Sequence, residues 1–218
     1  RGGSPDENLI LLDGTQIYNP YHVGGIFSTF NADLIADTEF LAGGFPAEYG
    51  NRLSSVLSIT SKEGNSKEGR LPESWFINKY WDYNDINVDV SLLSSKISAQ
   101  GPIYKGSWIF SGRRTYFDKL VSAYNNSRGT STPFNYYFWD THFKLQTQPL
   151  KYHKFVYSQF DGSDDLFVNI NSKDFPEVNF DWEWLNSTKS FAWKFFPNSN
   201  YLIDTRLSET KYNFDVKF

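Results

Sequence analysis

Residues 1–62 read RGGSPDENLILLDGTQIYNPYHVGGIFSTFNADLIADTEFLAGGFPAEYGNRLSSVLSITSK. The run Asn8–Leu12 is continuously apolar after its first residue and short enough for a strand buried on both faces. Asp13-Gly14 follows, the strongest short hairpin signal, and predicts a return strand over Thr15–Tyr18. Asn19–Gly25 reads as a loop and Ile26–Phe30 as a brief apolar stretch. Asn31 can cap a short helix reaching Ala36, with Asp33 in its first turn. Asp37–Ala42 reads as a strand stopped by Gly43-Gly44, Phe45–Gly50 as a tight turn, and Ser54–Thr60 as an alternating strand. The segment is therefore a small, glycine-punctuated α/β unit.

The remainder has a different texture. Residues 63–69 are polar and contain glycine, a linker by composition. Leu71–Tyr80 is a possible strand. Ile86, Val88, Val90 and Leu92 alternate with polar residues, and the phase then slips at Leu92-Leu93, which predicts a bulge. Ser107–Phe117, Tyr136–Gln148, His153–Phe160, Val178–Phe196 and 201–218 read as further strands, with Trp182, Trp184, Tyr212 and Phe214 each in an alternating run. Residues 101–106, 148–152 and 197–200 are short connections. Residues 118–135 and 161–177 are long ones, the first holding a turn or two of helix over Asp118–Tyr124. Alternation alone fits a soluble sandwich as well as a transmembrane barrel. Strand length and the regular exchange of short and long connections favour the barrel.

Composition bounds the rest. The 218 residues carry a net charge of −4, which leaves no basic footprint for nucleic acid. Aromatic residues make up 19% of the chain, yet mean hydropathy is −0.51. That combination suits strands that are apolar on one face and polar on the other. No run of about 18 apolar residues exists for a membrane helix. Cysteine is absent, so there is no disulfide framework and no thiolate metal site. His22, His142 and His153 lack metal-ligand spacing, and no nucleophile elbow, phosphate loop or dinucleotide fingerprint is present. No catalytic residue, cofactor or metal is expected, and the chain does not read as an enzyme.

The opening Arg1-Gly2-Gly3, then LILLDG, YNPYH, GIFSTFN, GGFPAEYG and the closing SVLSITSKEGN resemble the C-terminal part of the plug domain of TonB-dependent outer-membrane receptors, Bacteroidetes branch. Many such plugs carry Gly-Gly before the last strand, where this chain has Leu53-Ser54-Ser55. The resemblance covers the first third of the chain. It implies a mainly β fold in two parts. Residues 1–66 are the C-terminal part of a plug, and residues 67–218 are the N-terminal antiparallel strands of a transmembrane β-barrel of about 22 strands. With Leu71–Tyr80 as the first strand, the short turns fall on the periplasmic side and the strand ending at Phe218 runs outward. The sequence then reads as an internal fragment. The implied function is active uptake of a scarce nutrient across the bacterial outer membrane, driven by TonB pulling on a segment upstream of Arg1. Implied partners are the TonB complex, outer-membrane lipid, a small-molecule or oligosaccharide substrate, and in some relatives a surface lipoprotein. Two alternatives stand beside it: a receptor-like structural component of an outer-membrane assembly, and a soluble carbohydrate-binding β domain.

Site residues follow from this reading. Tyr18, Asn19, Tyr21, His22, Phe27 and Phe30 are candidates for substrate contact, since aromatic rings with a histidine can stack on and hydrogen-bond a sugar or chelate. The same residues could instead pack plug against barrel. Arg1, Glu48 and Arg52 are candidate plug–barrel anchors or, alternatively, solvated surface charges. Of the adjacent Arg113 and Arg114 only one can face the lumen, and Arg113 is taken as the anchor. Asp161, Asp164 and Asp165 could offer oxygens to Ca²⁺, although the spacing is not that of an EF-hand and an acidic loop is ordinarily just solvated.

Overall fold

The computed structural model describes residues 7–22, 25, 27–50, 52, 54–65, 85–129, 134–172 and 175–217. Within them the chain is mainly β. The N-terminal sheet has four strands in the order β2-β1-β6-β5, formed by β1 (Asn8–Leu12), β2 (Thr15–Gln16), β5 (Ile35–Ala42) and β6 (Ser55–Ser61). A two-stranded ribbon, β3 (Tyr21–His22) with β4 (Phe27–Ser28), sits in the connection. The apolar run of β1 takes a central place because it can bury both faces, and it pairs parallel to β6 and antiparallel to β2. Asp13 and Gly14 both have positive φ, 49° and 74°, the geometry a two-residue hairpin turn needs. Asn31 caps as expected, its side chain accepting from the Asp33 N–H, but the helix is a single 3-10 turn over Ala32–Leu34.

The second sheet has seven antiparallel strands in sequence order, a meander. They are β7 (Asp85–Val90), β8 (Ser94–Ile103), β9 (Gly106–Thr115), β10 (Phe134–Leu150), β11 (His153–Ser172), β12 (Phe175–Asn198) and β13 (Tyr201–Lys217). Two-residue turns at Tyr104-Lys105, Lys151-Tyr152 and Ser199-Asn200 share one end of the sheet. Helix α1 (Phe117–Arg128) lies at the other end, closed by Gly129 in the left-handed region at φ 66°.

Three further expectations change. The phase slip at Leu92-Leu93 is a tight turn between two strands, not a bulge within one. The Ser91 N–H donates to the Ser94 carbonyl at 2.8 Å, and the Ser94 N–H to the Ser91 hydroxyl at 3.1 Å. The acidic stretch 161–177 is no long loop, since β11 runs to Ser172 and β12 starts at Phe175. Asp161 and Asp165 fall on one face of β11 and Asp164 on the other, and all three take their places in the ladder. The helix after β9 has 12 residues, longer than a turn or two. Leu71–Tyr80, the possible first strand, lies outside the described residues, as does Phe218.

The N-terminal sheet packs on one face of the meander, here the inner face. On β10 the even positions Tyr136, Phe138, Asp140, His142 and Lys144 are buried on this face, while the odd positions between them are only partly covered. Phe160 of β11 enters the core of the small unit and packs with Leu12, Ile17 and Ile59.

Candidate functional site

The inner face of a sheet carries alternate residues, so a run such as Asp140-Thr141-His142-Phe143-Lys144 sends three polar side chains to one side. Burying charge there is costly unless each group is paired. The seam between the two sheets meets that demand with two clusters.

In the first, His22 of β3 is buried between Asp164 of β11 and Asp140 of β10. Its Nδ1 lies 2.5 Å from a carboxylate oxygen of Asp164 and its Nε2 lies 3.7 Å from Asp140. The Tyr136 hydroxyl donates to the other oxygen of Asp164. Arg113 donates to Asp140 at 2.7 Å and to the Ser28 carbonyl at 2.7 Å. Its guanidinium stands 5.0 Å from the Phe138 ring centroid, on a ring that also stacks with His22. With His22 protonated the four charges cancel, two cations against two carboxylates. Burial by itself works against the imidazolium. The carboxylates of Asp140 and Asp164, the second hydrogen-bonded to Nδ1, outweigh it and raise the His22 pKa.

In the second cluster, Asp13 of the first hairpin turn accepts from Lys144 Nζ at 2.9 Å, from the Ser61 N–H at 3.0 Å, and from the hydroxyls of Ser61 and Ser158 at 2.6 and 2.9 Å. His142 Nε2 stands 3.7 Å away. Burial opposes the carboxylate, but the nearby His142 imidazole, the Lys144 charge and the Ser61 hydroxyl prevail and hold its pKa below the ordinary 3.8.

Neutral contacts continue the seam. Asn31 donates to the Ser111 hydroxyl at 2.8 Å, Asn186 to the Asn19 carbonyl at 2.7 Å, and Thr210 to the Gln16 carbonyl at 3.0 Å. The contact to the β7–β8 side is more open. Lys96, half-buried there, joins the exposed Asp33 and Asp89 over a polar cavity of about 500 Å³.

The six substrate candidates separate by position. His22 is buried in the seam. Phe27 tilts against Phe138 with centroids 5.6 Å apart, and Phe30 against Phe160 at 6.3 Å. Asn19 bridges to β12, whereas Tyr18 and Tyr21 are 57% and 39% exposed. Among the anchor candidates Arg113 sits in the first cluster, while Arg114 turns to the other face and pairs with Asp118. Glu48 is exposed and makes no ion pair with the described residues; Arg52 is half-buried beyond it. Arg1 lies outside the described residues. Asp161, Asp164 and Asp165 do not converge: Asp164 faces the seam and its two companions occupy the opposite parity. Sequence reasoning missed Asp13, Asp140 and Lys144. For Asp140 and Lys144 the signal was their place in strand parity, charges at positions that alternate with Trp139, Phe143 and Leu145; for Asp13, in the hairpin turn, there was none. Comparison of the chain with protein-family models, with curated proteins and with solved structures returned no match.

Proposed function

We propose that the chain is the plug-bearing wall of an outer-membrane receptor that takes up a scarce nutrient. The N-terminal sheet is then the plug and the meander is part of a membrane-spanning barrel. The carrying observation is the course of the apolar residues across the outer face. One hydrogen-bonded row joins Val88, Ile97, Gly112, Thr141, Asp161, Ser187 and Lys211, apolar at its start and charged at its end. On the later strands the outer apolar residues lie nearer the short turns: Leu145, Tyr157, Phe191 and Leu207 share a row, and Phe155 and Trp193 share the next. Val88 is 62% exposed and Leu207 is 77% exposed.

The apolar band thus crosses the rows diagonally. Its centre moves from the row that meets β13 at Lys211 to the row that meets β13 at Thr205, six residues (211 − 205) over the six steps from β7 to β13. One residue of about 3.3 Å per strand spacing of about 4.8 Å corresponds to a tilt of roughly 35°. Spanning strands tilt by about 35–45° so that a level band of lipid meets them obliquely. A soluble sandwich has no reason to expose such a band.

Transport, rather than chemistry, suits a seam made of breakable ion pairs. A TonB-type motor, a surface lipoprotein and lipid are the partners this reading brings with it, with the bacterial outer membrane as location. Washing membranes that hold the full-length protein with sodium carbonate tests it. The expected result is retention until detergent is added, with heat-modifiable migration of the extracted protein. Release by carbonate overturns the proposal.

A further inference from the structure

The strands β10–β13 continue well past the His22 cluster, away from the short turns. Register carries the inner face with them. Asp164 lies beside Trp184 and then Phe214, and the next inner row is Tyr136, Leu166, Trp182 and Val216. No bulge intervenes over these pairs, so all of them share the side on which the N-terminal sheet sits. A face turned to water in a wide lumen has no need of such residues, yet Trp182 is 38% exposed and Phe214 53%. None of the six carries a charge. The one acid at their border, Asp164, is already engaged by His22 and Tyr136. Asn19 is held at the foot of this wall by the Asn186 amide. The Nε1 donor of Trp184 is buried without an acceptor.

We propose that Leu166, Trp182, Trp184, Phe214 and Val216, backed by the buried ring of Tyr136, form a binding wall for an uncharged ligand with flat ring faces. This rests on the reading of the chain as a receptor. Rings stack on rings, and the lack of any cation among these side chains disfavours polyanionic ligands. Uncharged flat rings come from two sources, sugars and aromatic heterocycles.

Titration calorimetry on the full-length protein in detergent separates these outcomes, with cellohexaose, riboflavin and the anionic iron(III) complex of 2,3-dihydroxybenzoate as probes. The expected result is that cellohexaose or riboflavin binds and the anionic complex does not, and the one that binds identifies the source. Trp182→Ala with Phe214→Ala should weaken that binding about tenfold. Trp182→Phe with Phe214→Tyr, which keeps the ring faces and the fold, should bind within about threefold of the wild type. Three results overturn the inference: neither uncharged probe binds, the anion binds more tightly, or the double alanine variant binds like the wild type. Carbonate washing of the same membranes keeps the two readings apart. Protein that is retained but binds neither uncharged probe sinks the wall alone, and protein that is released sinks the receptor reading beneath it.

Discussion

The imidazole of His22 stacks on the ring of Phe138 with centroids 3.9 Å apart and planes 11° from parallel. The stack places both ring nitrogens toward carboxylates on neighbouring strands, so one residue of a short ribbon joins β10 and β11 to the N-terminal sheet. His22→Ala removes the cation and leaves Asp140 and Asp164 buried with less compensation. Breaking a buried pair in this way costs about 3–5 kcal/mol. Amide hydrogen exchange over residues 8–62 of the full-length protein should show opening made easier by that amount. Unchanged protection would mean that the cluster does not hold the sheets together.

The same histidine sets an alkaline limit. A raised pKa means that the folded seam favours the imidazolium. Its contribution is complete below the ordinary value of 6.5 and fades as pH rises through the higher folded value. Asp13 sets the acid limit, because its lowered pKa gives stability that is present above 3.8 and lost as pH falls below it. Exchange protection of β1 and β6 should therefore be greatest between these values. His22→Gln should abolish the alkaline limb and leave the acid limb in place. A pH-independent profile in the wild type would contradict both assignments.

Asp13 and Lys144 should behave as a coupled pair. Lys144→Met strands a buried carboxylate, and Asp13→Asn strands a buried ammonium. The double variant should be less damaged than the two single losses added together, with a coupling of about 0.5–3 kcal/mol in a double-mutant cycle of the same exchange measurement. By contrast, Lys96→Met should change little, within about 1 kcal/mol, since its partners are well exposed.

Gly14 is required by its backbone conformation, and it also lies against the movable end of Arg206. At φ 74° a side chain is strained, and a Cβ there would lie 1.4 Å from a guanidinium nitrogen of Arg206. Gly14→Ala should cost about 1–3 kcal/mol from backbone strain, plus the displacement of Arg206. Adding Arg206→Ser should recover the second part only. Full recovery in that double variant would show that backbone conformation at the turn is unimportant.

Much of this fold could be read from local pattern. The LILLDG run gave β1 and its turn because apolar continuity and Asp-Gly act within a few residues. The two-residue turns at Lys151-Tyr152 and Ser199-Asn200 came from interruptions between alternating runs. What escaped depends on partners far along the chain. The slip at Leu92-Leu93 could be a bulge or a hairpin, and only the pairing of β7 with β8 decides it. Asp140 and His22 are 118 residues apart (140 − 22), so nothing local marks them as neighbours. Parity showed that Trp182 and Phe214 each lie on one face of a strand, but not which face, since side is fixed by what packs against the sheet.

The order of the two clusters along the chain has a mechanical consequence. Tension applied ahead of residue 7 travels down β1 and loads Asp13 before anything reaches His22, nine residues later (22 − 13). About 30 Å of extended chain separates the two anchorages, tied to the meander in between by single neutral hydrogen bonds to the Gln16 and Asn19 carbonyls, which give way more easily than either ion-paired cluster. The seam would then yield in two steps, and a force–extension trace would record a discrete increment between them.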